Sequence, residues 1–235
     1  MFKLLSTANP KIQKGTAKGY LSFILHLAPA DLSGHEVCPK RTAGCTAACL
    51  NTAGRGGMFK KGETTNMIQK ARIRKTKMFF DEREQFMDAL FMDITKAIKF
   101  AAKQGLKPVF RLNGTSDLSW EKYEVIDGKN IFECFPTVQF YDYTKVLGRK
   151  VTGINNYHLT FSAADGNDAD VAKALTQGMN VTVVYDKIPE GVYSADEDDL
   201  RFLDPAVGII GLKAKGRAKK DTSGFVRRTI MMVAA

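Results

Sequence analysis

The apolar positions of this chain fall into short runs separated by polar turns, with one long stretch of helical spacing between the first run and the rest. Residues 20–30, "YLSFILHLAPA", are almost continuously apolar, which suits a strand buried on both faces. Four β-rich runs follow at 107–113 ("KPVFRLN"), 137–143 ("TVQFYDY"), 157–162 ("YHLTFS") and 180–186 ("NVTVVYD"), and a fifth spans 207–215 ("VGIIGLKAK"). The long stretch predicts a helix that begins near the capping residues Thr64 and Thr65 and stops at Gly105. In its second half Phe86, Leu90, Ile94, Ile98 and Ala101 recur at steps of three and four and form one apolar face. Its first half is basic, through Lys70, Arg72, Arg74, Lys75 and Lys77. A shorter helix is expected between 162 and 180, with acidic residues early and Gly178 at its end.

Strands alternating with helical segments predict βα units and a mainly parallel sheet. About six strands make an incomplete (β/α)6 TIM-like barrel, with an open doubly wound α/β sheet as the alternative. No repeat or low-complexity linker divides the chain, so residues 1–235 are read as a single α/β domain. Within it lie a cysteine loop at 38–57 and a basic C-terminal segment at 213–235.

Binding groups in such folds gather where parallel strands end. Polar residues concentrate there: Asn113, Gly114, Thr115, Ser116 and Asp117 after one strand, and Asp142, Tyr143, Thr144 and Lys145 after the next. Ser162, Asp186, Lys213 and Lys215 continue the pattern on later strands. Asp117, Asp142 and Lys145 are the candidate catalytic residues, since carboxylates and amines at such a rim can move protons. Asn113 to Asp117, Ser162 and Lys213 are the candidate cofactor contacts.

Charge sharpens the reading of partners. The net charge is +10, but residues 1–80 carry 14 basic against three acidic side chains, residues 81–210 carry 14 against 21, and residues 211–235 carry seven against one. Basic ends favour a nucleotide or nucleic acid as partner. No stretch has the length of a membrane span or the form of a secretory signal, so a cytoplasmic protein with no membrane partner is expected. A lysine-bearing phosphate loop and the dinucleotide GxGxxG are both missing, which leaves the ordinary nucleotide-binding folds without direct support.

The cysteines add the chemistry. Cys38, Cys45 and Cys49 form a C-x6-C-x3-C pattern inside "CPKRTAGCTAACLNTAGRGG". In a reducing compartment clustered thiols indicate a soft-metal site or a redox centre before a disulfide. Three thiolates suit a [4Fe–4S] cluster with one iron open, or zinc completed by His26 or His35, and packing among Ala43, Ala47 and Ala48 is the remaining alternative. Cys134 precedes a strand, at the opposite end of the sheet, and is expected to be buried and inert.

The other candidates have plainer readings. Asp117 is also a possible helix N-cap before "LSWEKY"; Glu121 and Asp204 are weaker acid candidates. Arg111 is expected to point into the barrel and pair with Asp142 or a substrate anion. His158 reads as a core histidine, and Tyr141 and Tyr143 as strand-packing residues of which one faces inward. The tail "GLKAKGRAKKDTSGFVRR" reads as a solvated basic segment, or as a phosphate cradle through Lys213 or Lys215.

Two resemblances follow from these residues. The succession "LSTANPKIQKG", "YLSFILHLAPAD", the cysteine segment, "RLNGTSDLSWE", "FYDYTK", "NYHLTFS", "DLRFLDP" and "GLKAKG" resembles the bacteriophage gene 88 product family over nearly the whole chain, which implies a phage origin but no chemistry. The organisation of strand, three-cysteine loop, helix and second strand ending in a polar glycine turn is similar to the radical S-adenosylmethionine enzymes. That resemblance implies a [4Fe–4S] cluster on Cys38, Cys45 and Cys49, with S-adenosylmethionine received by "NGTSD" at 113–117. The cysteine spacing and the turn both depart from that family's usual C-x3-C-x2-C and GGE.

Overall fold

A computed structural model describes residues 3–7 and 14–229. The predicted strands appear as β2 (Tyr20–Leu25), β3 (Lys107–Arg111), β6 (Gln139–Thr144), β7 (Tyr157–Ser162), β8 (Val181–Tyr185) and β10 (Ile209–Lys213). Short strands not anticipated from the sequence add β1 (Leu5–Ser6), the hairpin β4 (Glu124–Ile126) and β5 (Lys129–Asn130), β9 (Tyr193–Ser194) and β11 (Val226–Arg227). Residues 14–16 are helical, and the longer α-helices among the described residues are α1 (Ala43–Ala47), α2 (Met67–Asp81), α3 (Arg83–Ala102), α4 (Ile131–Cys134) and α5 (Asp168–Thr176).

The main sheet has nine strands, in the order β1-β2-β3-β6-β7-β8-β10-β9, with β11 also paired to β8. Among the described residues only β1 is antiparallel, and every other pairing in this sheet is parallel. From β2 to β10 each successive long strand is added on the same side, with no reversal of order. The chain is thus an α/β protein with a mostly parallel mixed sheet, and β1 and β9 are its two ends. Among the described residues no helix is long and apolar enough to cross a membrane.

The helix expected from Thr64 to Gly105 is two helices. Asn66, rather than a threonine, caps α2 by accepting from the Gln69 N–H, and the chain breaks at Glu82 (φ −134°, ψ 55°). The break lets Phe79 and Phe86 both meet Trp120, at ring separations of 5.2 and 6.4 Å. Gly105, in the left-handed region at φ 67°, ends α3 where the sequence indicates.

Strand alternation gives the sheet two unlike faces. Leu21, Phe23 and Leu25 of β2, Phe110 of β3 and Phe140 of β6 point to the helices, where they pack with Phe79, Phe86, Leu90, Ile94 and Ala97. Phe23, Phe110 and Phe140 form a ladder with centroids 5.4 Å apart at each step. Each such ring contributes about 1.5–3 kcal/mol through burial.

The opposite face is polar. Tyr20, Val109 and Tyr141 lie on it beneath Leu200 and Phe202, and the segment carrying those two residues covers the face with charge as well as bulk. Asp199 pairs with Arg111 at 3.0 Å and accepts from the Tyr143 hydroxyl at 3.3 Å. Arg201 pairs with Asp198 and Asp204 at 3.3 and 3.0 Å. Tyr141 and Tyr143 therefore share this face, as residues two apart on a strand must, which corrects the expectation of one inward tyrosine. Register then places His158 beside Tyr141 and Thr160 beside Tyr143, with the Thr160 hydroxyl 3.3 Å from His158 Nε2.

One edge of β8 is shared by two partners. β7 pairs with Val181 and Thr182, whereas β11 pairs with Val184 and Tyr185. The chain after Ser162 thus leaves the sheet early, and β11 occupies the position it leaves. This divergence carries Asp165 to the cysteine loop.

Candidate functional site

The cysteine loop leaves the C-terminal end of β2, the first parallel strand. Ala30, at φ 52°, turns the chain through a conformation unfavourable for a residue with a β-carbon. Its amide donates to Cys38 Sγ at 3.4 Å. Thr42 then caps α1, accepting from the Cys45 N–H at 3.1 Å and donating to the Asp165 carboxylate. Asp165 also accepts from the amides of Gly44 (3.0 Å) and Cys45 (3.2 Å), bonds that hold its pKa below the usual carboxylate range. The Asn51 amide donates to Cys49 Sγ at 3.5 Å.

All four cysteines are free thiols. Burial pushes Cys38 up to about 12, reinforced by Cys49, Asp117 and Cys45 and opposed by the Ala30 amide. Burial also raises Cys49, against the pull of the Asn51 amide, Arg72 and Lys145. Burial thus favours the protonated form of both Cys38 and Cys49 over the thiolate. Among the described residues no three His, Cys, Asp or Glu side chains are gathered into a ready metal-binding group, so the cysteines share a rim without converging on one point.

Several expected residues meet at that rim. Cys38 Sγ lies 3.9 Å from the Thr115 carbonyl, and the Asp117 amide donates to the Val37 carbonyl at 2.8 Å, joining the 113–117 turn to the cysteine loop. Asp117 Oδ2 accepts from the Lys145 amide at 2.8 Å, so it caps the end of β6 rather than a following helix. Its Oδ1 is buried and without a partner among the described residues, and burial raises its pKa. Lys145 Nζ donates to Ser162 Oγ at 3.2 Å. At Gly114 a β-carbon would lie 2.5 Å from His26 Nδ1 and 2.7 Å from the Leu25 carbonyl, so only glycine allows β2 and this turn to close up.

Other candidates are drawn away. Asn113 is buried, and its side chain is spent on the turn, donating to the Leu118 carbonyl and accepting from Ser116, the Leu118 amide and Trp120. Thr115 donates to the Leu27 carbonyl at 2.6 Å. Asp142 is sealed on the helix-facing side, where it accepts from the Asn113 amide (2.7 Å) and the Tyr157 hydroxyl (3.0 Å), and burial lifts it to about 7. Arg111 lies on the other face with Asp199 as its partner, which overturns the pairing expected with Asp142. Glu121 is buried in a bidentate pair with Arg149, and Asp204 is paired with Arg201. Lys213 is exposed, on the side of β10 that carries Ile209, and its amide donates to Asp196.

His35 stacks on Phe80 at 4.2 Å and lies 3.6 Å from Asp81, so it faces α2. His26 sits at the end of β2, its pKa lowered to about 3 by burial and by Arg72, Arg111 and Lys75. Cys134 is half-buried in α4, less enclosed than expected. The tail is docked rather than free: Lys215 pairs with Asp196, Arg227 with Asp168 and Arg228 with Asp186. Residues 230–235 of the basic segment lie outside the described residues.

Two residues at the rim escaped the sequence reading. Asp165 looked like an ordinary early-helix acid, and nothing local ties it to Thr42. Arg72 was grouped with the basic surface, yet Gln69, Thr76 and Phe79 recur at steps of seven and three and mark the buried side of α2. Arg72 lies along that side, donating through Nη1 to the Asn51 carbonyl and side-chain oxygens. Lys75 is also turned inward, donating to the Leu4 carbonyl at 3.0 Å, and burial lowers it to about 8. Lys70, Arg74 and Lys77 remain outside and, with Lys3, line an open groove whose wall also carries the carboxylates of Asp81 and Glu82.

No curated protein and no solved structure matches the chain. Residues 3–229 match the family described as Gene product 88, and the chain belongs to that family.

Proposed function

We propose that this protein is an iron–sulfur enzyme of the radical S-adenosylmethionine type, built on an incomplete (β/α)6 barrel and acting on a nucleotide or nucleic-acid-related substrate. The observation that carries the reading is the unreversed order of six parallel strands, β2-β3-β6-β7-β8-β10, with the three-cysteine loop leaving the first of them. The donor chemistry supports this reading: Cys38, Cys45 and Cys49 are free thiols, two of which accept backbone N–H bonds that would favour the thiolate form, and the three would have to draw together to hold a [4Fe–4S] cluster. A cluster bound there would supply the electron for cleaving the cofactor's carbon–sulfur bond. The chain's own groups prepare the place. Asp117 offers a buried, unpartnered carboxylate oxygen to an ammonium group, and Asp165 fixes the helix that presents Cys45.

Anaerobic purification followed by iron, sulfide and zinc analysis tests this. About four irons and four sulfides per chain with a broad band near 400 nm, lost in Cys45→Ala, are expected. No metal after iron–sulfur reconstitution would overturn it.

A second reading, a zinc-containing nucleic-acid-binding protein, is favoured by the groove of Lys3, Lys70, Arg74 and Lys77. One zinc per chain without colour would support it. Neutralising Lys70, Arg74 and Lys77 should then weaken RNA or DNA binding and flatten its salt dependence. Arg72 and Lys75 are left intact in that test because they are inward-facing.

A further inference from the structure

Residues 37–62 and 205–220 each carry five basic side chains and no acidic one. Far apart in the sequence, the two segments meet in the fold. Ala48 of the first is buried in one apolar cluster with Ala214 and Ala218 of the second. The contact continues through Gly216, where a β-carbon would lie 3.5 Å from that of Ala53. Ala48 and Ala53 flank Cys49 in the sequence, so this contact stands beside the thiols.

Both segments present the same turn at this contact. Gly54 and Gly216 adopt the left-handed region, at φ 53° and 56°, and each opens a short 3-10 turn. Each is followed by an exposed arginine, Arg55 in one turn and Arg217 in the other, and Lys219 and Lys220 are exposed in the second turn. Other cations of the tail are met by carboxylates, Lys215 by Asp196, Arg227 by Asp168 and Arg228 by Asp186. Among the described residues no carboxylate pairs with Arg55, Arg217, Lys219 or Lys220. Two acids border the surface. Asp221 accepts from the Ser223 hydroxyl and the Val226 amide, and Asp165, near Ser223 across Gly44, accepts from Thr42, Gly44 and Cys45. Their oxygens are engaged by neutral donors of the chain, and four cations outnumber them.

Exposed cations gain little from one small anion. A polymer with a phosphate at every unit meets several of them at once and gains by releasing its counterions, and arginine forks suit phosphate oxygens. We propose that the paired glycine–arginine turns, with Lys219 and Lys220, form a track for the phosphodiester backbone of a nucleic acid, leading the strand past the cysteine loop. The inference rests on the nucleic-acid part of the function proposed above and makes the partner a polynucleotide rather than a free nucleotide. It needs neither the cluster nor the α2 groove.

Fluorescence anisotropy of the full-length protein with a labelled oligonucleotide of about 20 nucleotides, single-stranded and duplex, over a range of salt concentrations tests it. Binding that weakens steeply with salt is expected. Arg55→Gln with Arg217→Gln should weaken it severalfold for every sequence tried and flatten the log–log salt slope for the single strand by about 1.4, as for two lost phosphate contacts. Arg55→Lys with Arg217→Lys should keep most of that slope. Lys99→Gln with Lys103→Gln removes the same charge from the end of α3 that leads into the start of β3, and should change little. No binding, or equal losses in the arginine and lysine pairs, would overturn the track. Binding lost only when Lys70, Arg74 and Lys77 are neutralised would overturn it in favour of the α2 groove, and association with phosphatidylserine vesicles but not the oligonucleotide would do so in favour of a membrane. Iron loading without oligonucleotide binding would remove this inference and leave the cluster reading standing; arginine-dependent binding in a chain that never takes up iron would do the reverse.

Discussion

The two faces of one sheet, made by alternate residues of the same strands, hold together by different physics. On the helix-facing side Phe23, Phe110 and Phe140 are fully buried and act through volume and water exclusion. On the other side Arg111 and Tyr143 are covered by the 198–204 segment and act through directed bonds to its Asp199, while Arg201 of that segment pairs with Asp198. The apolar face tolerates local adjustment because dispersion is non-directional. The polar face has few acceptable arrangements, and the rim groups stand at its upper end. The contrast explains why stability and the candidate chemistry share strands without sharing side chains.

The strongest test of this contrast removes one ring and one charge. Phe110→Ala should cost about 3–5 kcal/mol by leaving a cavity among the stacked rings, read from denaturant unfolding. Asp199→Ala should cost a similar amount, since it strands a buried guanidinium. Joint replacement separates the faces: Arg111→Met with Asp199→Leu should recover most of the loss, because removing both charges removes the desolvation penalty. Equal damage in the single and double variants would mean that the polar face also works by shape.

Acidity supplies a finer test, since each face has a buried group that titrates in the opposite sense. Burial lifts Asp142 to about 7, so the fold favours its protonated form. Relative to Asp142→Asn, the wild type should lose stability as pH rises from about 4 to about 7. Burial lowers His26 to about 3, so the fold favours the neutral ring. Relative to His26→Gln, the wild type should be unaffected above about pH 6.5 and lose stability as pH falls toward 3. Unfolding of the variants across this range should therefore give difference curves of opposite slope; slopes of the same sign would break the assignment of the two environments.

The smallest effect is expected where the rim is pinned. A β-carbon at Gly44 would lie 2.0 Å from Ser223 Oγ and 2.6 Å from Asp165 Oδ1. Gly44→Ala should displace the Asp165 cap at a cost of about 1 kcal/mol and speed the reaction of Cys45 with a thiol reagent. An unchanged rate would show that α1 is held by other contacts.

The six long parallel strands, the apolar side of α3 and the placing of the cysteine loop after the first of those strands are legible in the sequence, because each depends on residues a few positions apart. Periodicity also carried the buried side of α2, but the clustered basic residues masked it. What escaped has a long-range cause. Arg111 finds Asp199 88 positions away, Asp165 reaches Cys45 across 120, and β11 enters the sheet only because β7 leaves it early. Membership of the candidate site followed the same division. Asp117, Lys145 and Ser162 came together at the rim as strand-end residues should. Asp142 did not, because on a pleated strand the next residue but one inherits its side of the sheet, and Asp142 follows Phe140 into the apolar layer. Sequence by itself determined the six long strands, the main helical stretches and which end of the sheet carries the cysteine loop, since these are local consequences of side-chain spacing. The tertiary structure alone decided which charges are paired and with which partner, because pairing depends on where distant segments of the chain are brought together.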